Sequence, residues 1–283
     1  MAKLIDGKKL AQITTDNLKS EIEDLKKKNV FPALAVIVVG ENPASKIYVK
    51  NKHRIAESIG IKSIVKKLPD TTSEKELLNL INEYNDNSDI NGILVQLPLP
   101  NQINEKKITE AIKPEKDVDG FHPINIGRLA MNDPLAIPCT PLGIMRMFNA
   151  YNIDLDGKNA VVVGRSNIVG KPMAALLLNA NATVTITHSH TKNLAEITKQ
   201  ADILVVAIGQ ANFIKKADVK QSAVVIDVGM NRLDSGKLAG DVDKEVAEVA
   251  GYLTPVPKGV GPMTIAMLME QTIELTKRSV GIE

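Results

Sequence analysis

The chain has 283 residues, too many for one small core and enough for two domains. Its 35 basic and 33 acidic residues leave a formal net charge of +2, and tryptophan is absent, so neither charge nor stacking platforms argue for a nucleic-acid partner. A single cysteine, Cys139, rules out an intramolecular disulfide, and no signal-like or membrane-length apolar run is present, so the expectation is a soluble cytoplasmic globular protein.

In chain order, a polar helical pattern runs from about Lys8 to Lys28 and precedes the apolar strand Leu34–Gly40. Ser45 is a plausible N-cap for a helix running to about Ile59, where Gly60 is a stop signal. A short strand is expected near Ser63–Leu68. Ser73-Glu-Lys-Glu76 then reads as a capping box opening a helix to about Tyr84. Gly92–Leu97 is a buried strand, broken by Pro98 and Pro100, which cannot continue a ladder. Periodicity fades between Asp119 and Thr140, which marks a boundary, and a helix from Pro141 to about Tyr151 links the halves.

The second half alternates strands near 159–164, 182–187, 203–208 and 223–228 with helices, as a doubly wound parallel sheet requires. Its most informative stretch is Val161-Val-Val-Gly-Arg-Ser-Asn-Ile-Val-Gly-Lys-Pro172, in the order strand, tight turn, helix. That order presents backbone N–H groups and a helix N-terminus where a phosphate can sit. Gly164 lets the chain turn close to a ligand, and Gly170 allows close helix packing. The spacing departs from G-x-G-x-x-G, so on this run alone an ordinary strand-to-helix turn is an equal reading. The next strand ends in Thr187-His-Ser189, without the carboxylate that usually holds an NAD ribose. Ser189 and Arg165 suit a 2′-phosphate instead, which points to NADP. Ser189 could equally cap a helix beginning near Lys192. The last helix is expected from Pro262 to about Arg278, where it could return to brace the first domain.

Several residues could do chemistry. Tyr48 and Lys52 are four apart and share a helix face. A lysine beside a phenol in a cleft could lose its proton readily and act as a base. By spacing alone, the plainer reading is a solvated basic helix, because Lys46, Lys50 and Arg54 flank it. Gln96 closes an apolar strand at the end where open α/β sheets place ligands, or it simply bonds to loop backbone. Asp117 and Asp119 lack ligand spacing for a metal, and one carboxylate facing two parallel N–H donors is a better use. The four histidines show no zinc spacing, and Cys139, between prolines, has no evident base.

Six ordered motifs span essentially the whole chain: Tyr48-Val-x-x-Lys52, Val95-Gln-Leu-Pro-Leu-Pro100, Lys116-Asp-Val-Asp-Gly120, Pro138-Cys-Thr-Pro141, Gly164-Arg-Ser-x-Ile-Val-Gly170 and Pro255-Val-Pro-x-Gly-Val-Gly-Pro-Met-Thr264. Together they resemble the bifunctional methylenetetrahydrofolate dehydrogenase/methenyltetrahydrofolate cyclohydrolases. The resemblance implies an α/β chain of two domains. One is a folate-binding catalytic domain over residues 1–139 plus the returning helix 262–283. The other is a Rossmann-like NADP domain over 140–261. It implies Lys52 as the catalytic lysine with Tyr48 near the substrate, Gln96 as its polar partner between Val95 and Leu97, and Asp119 on the pterin ring. It further implies that Pro257, Gly259, Val260 and Gly261 border the folate, that Gly164, Arg165, Ser166 and Ser189 hold NADP, and that backbone near Met230 touches the nicotinamide. No metal is implied, and a homodimer built through the cofactor domain is expected.

One departure stands out. The family turn commonly reads Pro-Gly-Gly-Val-Gly, whereas this chain has Pro257-Lys-Gly-Val-Gly261. The lysine loses glycine's conformational freedom and adds a charge, which bears on substrate affinity more than on reaction type. A monofunctional dehydrogenase of the same fold, in which Lys52 only positions substrate, is the alternative. A non-catalytic NADP-sensing protein is a more distant one.

Overall fold

In the computed structural model, residues 1–282 are described, apart from the side chains of residues 43–45. Residue contacts divide the chain into two compact units. The N-terminal unit comprises Ile13–Ile137 with Met267–Glu283, and the C-terminal unit comprises Met1–Gln12 with Pro138–Ala266.

The chain opens with β1 (Lys3–Leu4), a strand of the C-terminal unit, and continues into α1 (Gly7–Lys27). The N-terminal unit then alternates β2 (Ala33–Val39), α2 (Pro43–Ile59), β3 (Lys62–Leu68), α3 (Glu74–Asp86), β4 (Gly92–Val95) and α4 (Glu105–Ala111), followed by α5 (Pro123–Ala130). Its three strands are parallel in the order β3-β2-β4. All seven residues of the central strand are buried, which explains why β2 is continuously apolar rather than alternating. Ser73 caps α3 as a capping box: its hydroxyl accepts from Glu76 N–H at 3.3 Å, and the Glu76 carboxylate accepts from Ser73 N–H at 2.8 Å.

Three local expectations change. Helix α2 starts at Pro43, ahead of Ser45, whose side chain lies outside the described residues. Strand β4 ends at Val95, leaving Gln96 and Leu97 beyond it at the carboxyl end. The stretch between Asp119 and Thr140 contains α5, opened by Pro123 and by His122, whose Nδ1 accepts from Ile124 N–H at 3.1 Å. Asn125 and Leu129 are the buried residues of α5, too few in eight residues to show a period.

In the C-terminal unit, α6 (Cys139–Ala150) leads to β5 (Asn159–Val163), α7 (Gly170–Asn179), β6 (Thr183–Thr187), α8 (Leu194–Thr198), β7 (Ile203–Val206) and β8 (Val224–Asp227). A hairpin of β9 (Asn231–Arg232) and β10 (Leu238–Ala239) follows, then β11 (Tyr252–Leu253) and α9 (Val260–Ser279). The six-stranded sheet has the order β1-β11-β8-β7-β5-β6, and every pairing is parallel. The chain runs from β5 outward to β6 and then returns to place β7 on the other side of β5. The switch point therefore lies at the carboxyl ends of β5 and β7, where such sheets bind ligands. Two-residue strands such as β1 and β11 carry no readable period. Here β1 is held by pairing and by Lys3, whose ammonium stands 5.7 Å and 5.5 Å from the ring centroids of Tyr151 and Tyr252.

The last part of α9 belongs to the N-terminal unit, as expected of a returning helix. Buried Gln271 secures it there: its Nε2 donates to Val118 O at 2.8 Å and Ile137 O at 2.7 Å, and its Oε1 accepts from Ile137 N–H at 2.6 Å. Among the described residues no helix is long and apolar enough to cross a membrane.

Candidate active site

The basic character of α2 conceals a buried amine. Lys46, Lys50 and Arg54 are exposed, whereas Lys52 is 6% exposed, so the solvated-helix reading fails at this residue. The one-turn spacing brings its Nζ to 5.2 Å from the Tyr48 ring centroid. The same Nζ donates to Gln96 Oε1 at 3.1 Å. Gln96 in turn donates from Nε2 to Leu97 O at 2.8 Å, and its backbone N–H continues the ladder to Ile37 O at 2.9 Å. The amide is thus held at both ends, with its oxygen toward the lysine.

The Lys116-Asp-Val-Asp-Gly120 run lies alongside β4, where Asp117 makes a parallel bridge with Ile93. Its two carboxylates have separate tasks. Asp117 is buried and faces donors of its own loop: Gly120 N–H at 3.1 Å, His122 N–H at 2.8 Å and Asn125 Nδ2 at 2.9 Å. Burial raises its carboxyl above the usual range, and these hydrogen bonds oppose the shift. Val118 points into the core and is held by Gln271. Asp119 is partly buried, and its carboxyl is pushed up to about 6 by desolvation. The Lys52 charge pulls it down and Asp117 pushes it up, so Asp119 and Lys52 share one electrostatic environment. Val95, Leu97, Asp119 and Phe121 line one small pocket at this end of β4. Tyr48, Lys52, Gln96 and Asp119 therefore gather in the N-terminal unit. Among the described residues, no group of three or more His, Cys, Asp or Glu side chains is placed to hold a metal ion.

In the C-terminal unit, Gly164 has a φ of 119°, and a Cβ there would strike Ala207 O. A Cβ on Gly170 would strike the Gly164 carbonyl, so α7 can start this close to the turn only with glycine at both positions. The Ser166 hydroxyl accepts from Val169 N–H at 3.1 Å and Gly170 N–H at 3.2 Å, which organises the start of α7. Arg165 and Ser166 themselves are exposed at the switch point. Ser189 is exposed just beyond β6 and does not cap α8, which starts only after Asn193 in the left-handed region. Two bonds shape the Ser189 turn: His188 N–H to Thr191 Oγ1 at 2.9 Å and His190 N–H to His188 Nδ1 at 3.2 Å. Cradling glycines, an exposed guanidinium and hydroxyls fit a dinucleotide bearing an extra phosphate.

Comparison with known proteins identifies the family. Residues 5–119 match the catalytic-domain model of tetrahydrofolate dehydrogenase/cyclohydrolase, and residues 138–280 match its NAD(P)-binding domain. The chain belongs to the tetrahydrofolate dehydrogenase/cyclohydrolase family. It is 63% identical over 279 residues to the bifunctional protein FolD of Lactococcus lactis subsp. cremoris (strain MG1363), covering 98% of each chain. The crystal structure of the Campylobacter jejuni bifunctional enzyme FolD superposes with a TM-score of 0.97 at 51% identity, covering 98% of this chain and 99% of that one. The Trypanosoma brucei dehydrogenase-cyclohydrolase, solved with NADP cofactor and an inhibitor, superposes with a TM-score of 0.95 at 37% identity, covering 99% and 98%.

The departure at Lys258 acquires a structural cost in this member of the tetrahydrofolate dehydrogenase/cyclohydrolase family. Pro257 and Gly259 lie just before α9, which Val260 and Gly261 open, in the C-terminal unit, and Lys258 between them has a φ of 85°. Its carbonyl accepts from Lys8 N–H at 2.9 Å, so the strained residue is fixed in place. A β-carbon in this region costs about 1–2 kcal/mol, part of which glycine gives back in unfolded-chain entropy. Lys258→Gly is expected to raise stability by about 1 kcal/mol. Thermal melts of the two proteins check this, and a lower midpoint for the variant would contradict it. Met230 is exposed just before β9, at the carboxyl side of β8.

Proposed function

We propose that this enzyme oxidises 5,10-methylenetetrahydrofolate with NADP and then hydrolyses the resulting 5,10-methenyl compound to 10-formyltetrahydrofolate. The observation that carries the reading is the buried Lys52 amine, held by Gln96 and sharing its environment with the Asp119 carboxyl. When bound, NADP accepts the hydride that leaves the one-carbon bridge, and Gly164, Arg165, Ser166 and Ser189 would hold it, with backbone near Met230 at the nicotinamide end. The first step asks the protein for orientation rather than for a nucleophile.

The second step asks for a base. Water adds to the cationic bridge carbon and gives up one proton to that base; the remaining hydroxyl proton passes to the ring nitrogen N5 as the N5–C bond breaks, which leaves the formyl group on N10. Lys52, the buried amine held by Gln96, is the group placed to accept the first proton. Gln96 holds the amine at its working position. Asp119, ionised above pH 6, accepts from the two parallel N–H groups of the 2-aminopyrimidinone edge. Tyr48, Val95 and Leu97 pack against the folate rings. The working form is a cytoplasmic homodimer built through the cofactor domain.

The test is an absorbance time course with methylenetetrahydrofolate and NADP. The methenyl species is expected to rise and then decay as formyl product forms. Accumulation without decay would instead indicate a monofunctional dehydrogenase, and no rise at all would overturn the reading.

A further inference from the structure

Two aspartates in the C-terminal unit form a buried knot at the carboxyl ends of β7 and β8. Asp241 is 0% exposed and Asp227 4% exposed. The Asp241 carboxylate accepts four hydrogen bonds. Three come from consecutive backbone N–H groups, Ile208 at 2.7 Å, Gly209 at 2.9 Å and Gln210 at 2.8 Å, and one from Asn231 Nδ2 at 2.9 Å. Asp227, the last residue of β8, accepts from Gly229 N–H and Asp241 N–H, both at 2.9 Å, and from Val242 N–H at 3.0 Å. A Cβ on Gly229 would collide with the Asp241 carboxylate, and a Cβ on Gly240 with that of Asp227. The two acids and two glycines therefore interlock.

The segment fastened in this way matters for the ligand. Residues 207–210 leave the carboxyl end of β7, the strand across the switch point from the Gly164 turn. Ala207 N–H donates to Val163 O at 2.8 Å, and its own carbonyl closes on Gly164. Gly209 and Gln210 are exposed beside that turn. Three successive amides converging on one carboxylate form a nest of the kind that elsewhere binds anions, here filled by the protein itself. A buried anion so placed also keeps those N–H groups turned inward and the loop in one conformation.

We propose that Asp241 is a positioning residue for the dinucleotide, bracing the 207–210 loop as the second wall of the cofactor site opposite Gly164–Ser166. The inference rests on the NADP reading above and assigns the bracing to a side chain that touches no ligand. It predicts a split effect: cofactor binding depends on Asp241, and chemistry on the folate alone does not.

The decisive variant is Asp241→Asn, which keeps the shape but puts a donor where a carboxylate oxygen accepted N–H groups. Three readouts apply: NADP affinity by calorimetry, hydrogen exchange at amides 208–210, and hydrolysis of methenyltetrahydrofolate without NADP. NADP affinity is expected to fall about tenfold or more, with faster exchange at 208–210 and hydrolysis within about twofold of wild type. Unchanged NADP affinity in a folded variant overturns the proposal, as does a parallel fall in hydrolysis. Should Asp241→Asn fail to fold, Asn231→Ala removes a single donor. It is then expected to weaken NADP about threefold with faster exchange at 208–210, and wild-type values for both overturn the proposal. Wild-type protein that binds no NADP would instead overturn the functional reading, a failure visible before any variant is made.

Discussion

Replacing Lys52 with methionine is expected to lower hydrolysis of methenyltetrahydrofolate by about two to four orders of magnitude, the usual contribution of a positioned general base. Methionine fills the space of the buried stem without the amine, so the N-terminal unit should fold. NADP affinity should stay within about twofold, because the proposed cofactor residues belong to the other compact unit. The substitution carries a second signature. Lys52 is the group that pulls the Asp119 carboxyl down, so its removal lets that carboxyl titrate higher still. The acid limb of folate binding should therefore move to higher pH in the variant. Hydrolysis assays across pH check both effects, and a variant that hydrolyses the methenyl compound at the wild-type rate would remove Lys52 as the base.

Asp119→Asn should separate binding from stability. The amide can no longer accept from two parallel N–H groups, so folate affinity is expected to fall about a hundredfold. Stability should move the other way. In the folded protein this carboxyl titrates at about 6, above the unfolded value near 4, so the native state holds its proton more firmly. The penalty from this group is absent below about pH 4, grows as pH rises through that window, and is complete above pH 6. Asparagine carries no such penalty, and a gain of about 2 kcal/mol is expected at pH 8, shrinking toward zero below pH 4. Thermal melts at several pH values test this. A variant less stable than wild type at pH 8 would contradict it, and unchanged folate affinity would remove the clamp. Function here is paid for in stability, as binding sites often require.

The sequence makes local signals legible and conceals the long-range ones. The Ser73–Glu76 capping box and the continuous apolar run of β2 are readable because the partners are neighbours or the pattern is unbroken. Gly164 and Gly170 are readable because only glycine tolerates those close approaches. The Tyr48–Lys52 spacing is visible, but the burial of the amine is not. That depends on Gln96 and the Asp119 region, more than forty residues away in the chain and brought together only by sheet pairing. The division of labour between Asp117 and Asp119 is hidden for the same reason, since it turns on which carboxylate meets the His122 and Asn125 donors. Asp227 and Asp241 lie outside all six sequence motifs. Their one local sign is proximity to Gly229 and Gly240, and it acquires meaning only when the two acids interlock.

The most direct measurement is a crystal structure of the enzyme with NADP and a folate analogue that cannot react. The Lys52 amine is expected about 3 Å from the bridge region of the folate or linked to it through one water, with Asp119 on the pyrimidine edge. An amine turned into bulk solvent, with the folate bridge bound elsewhere, would contradict it.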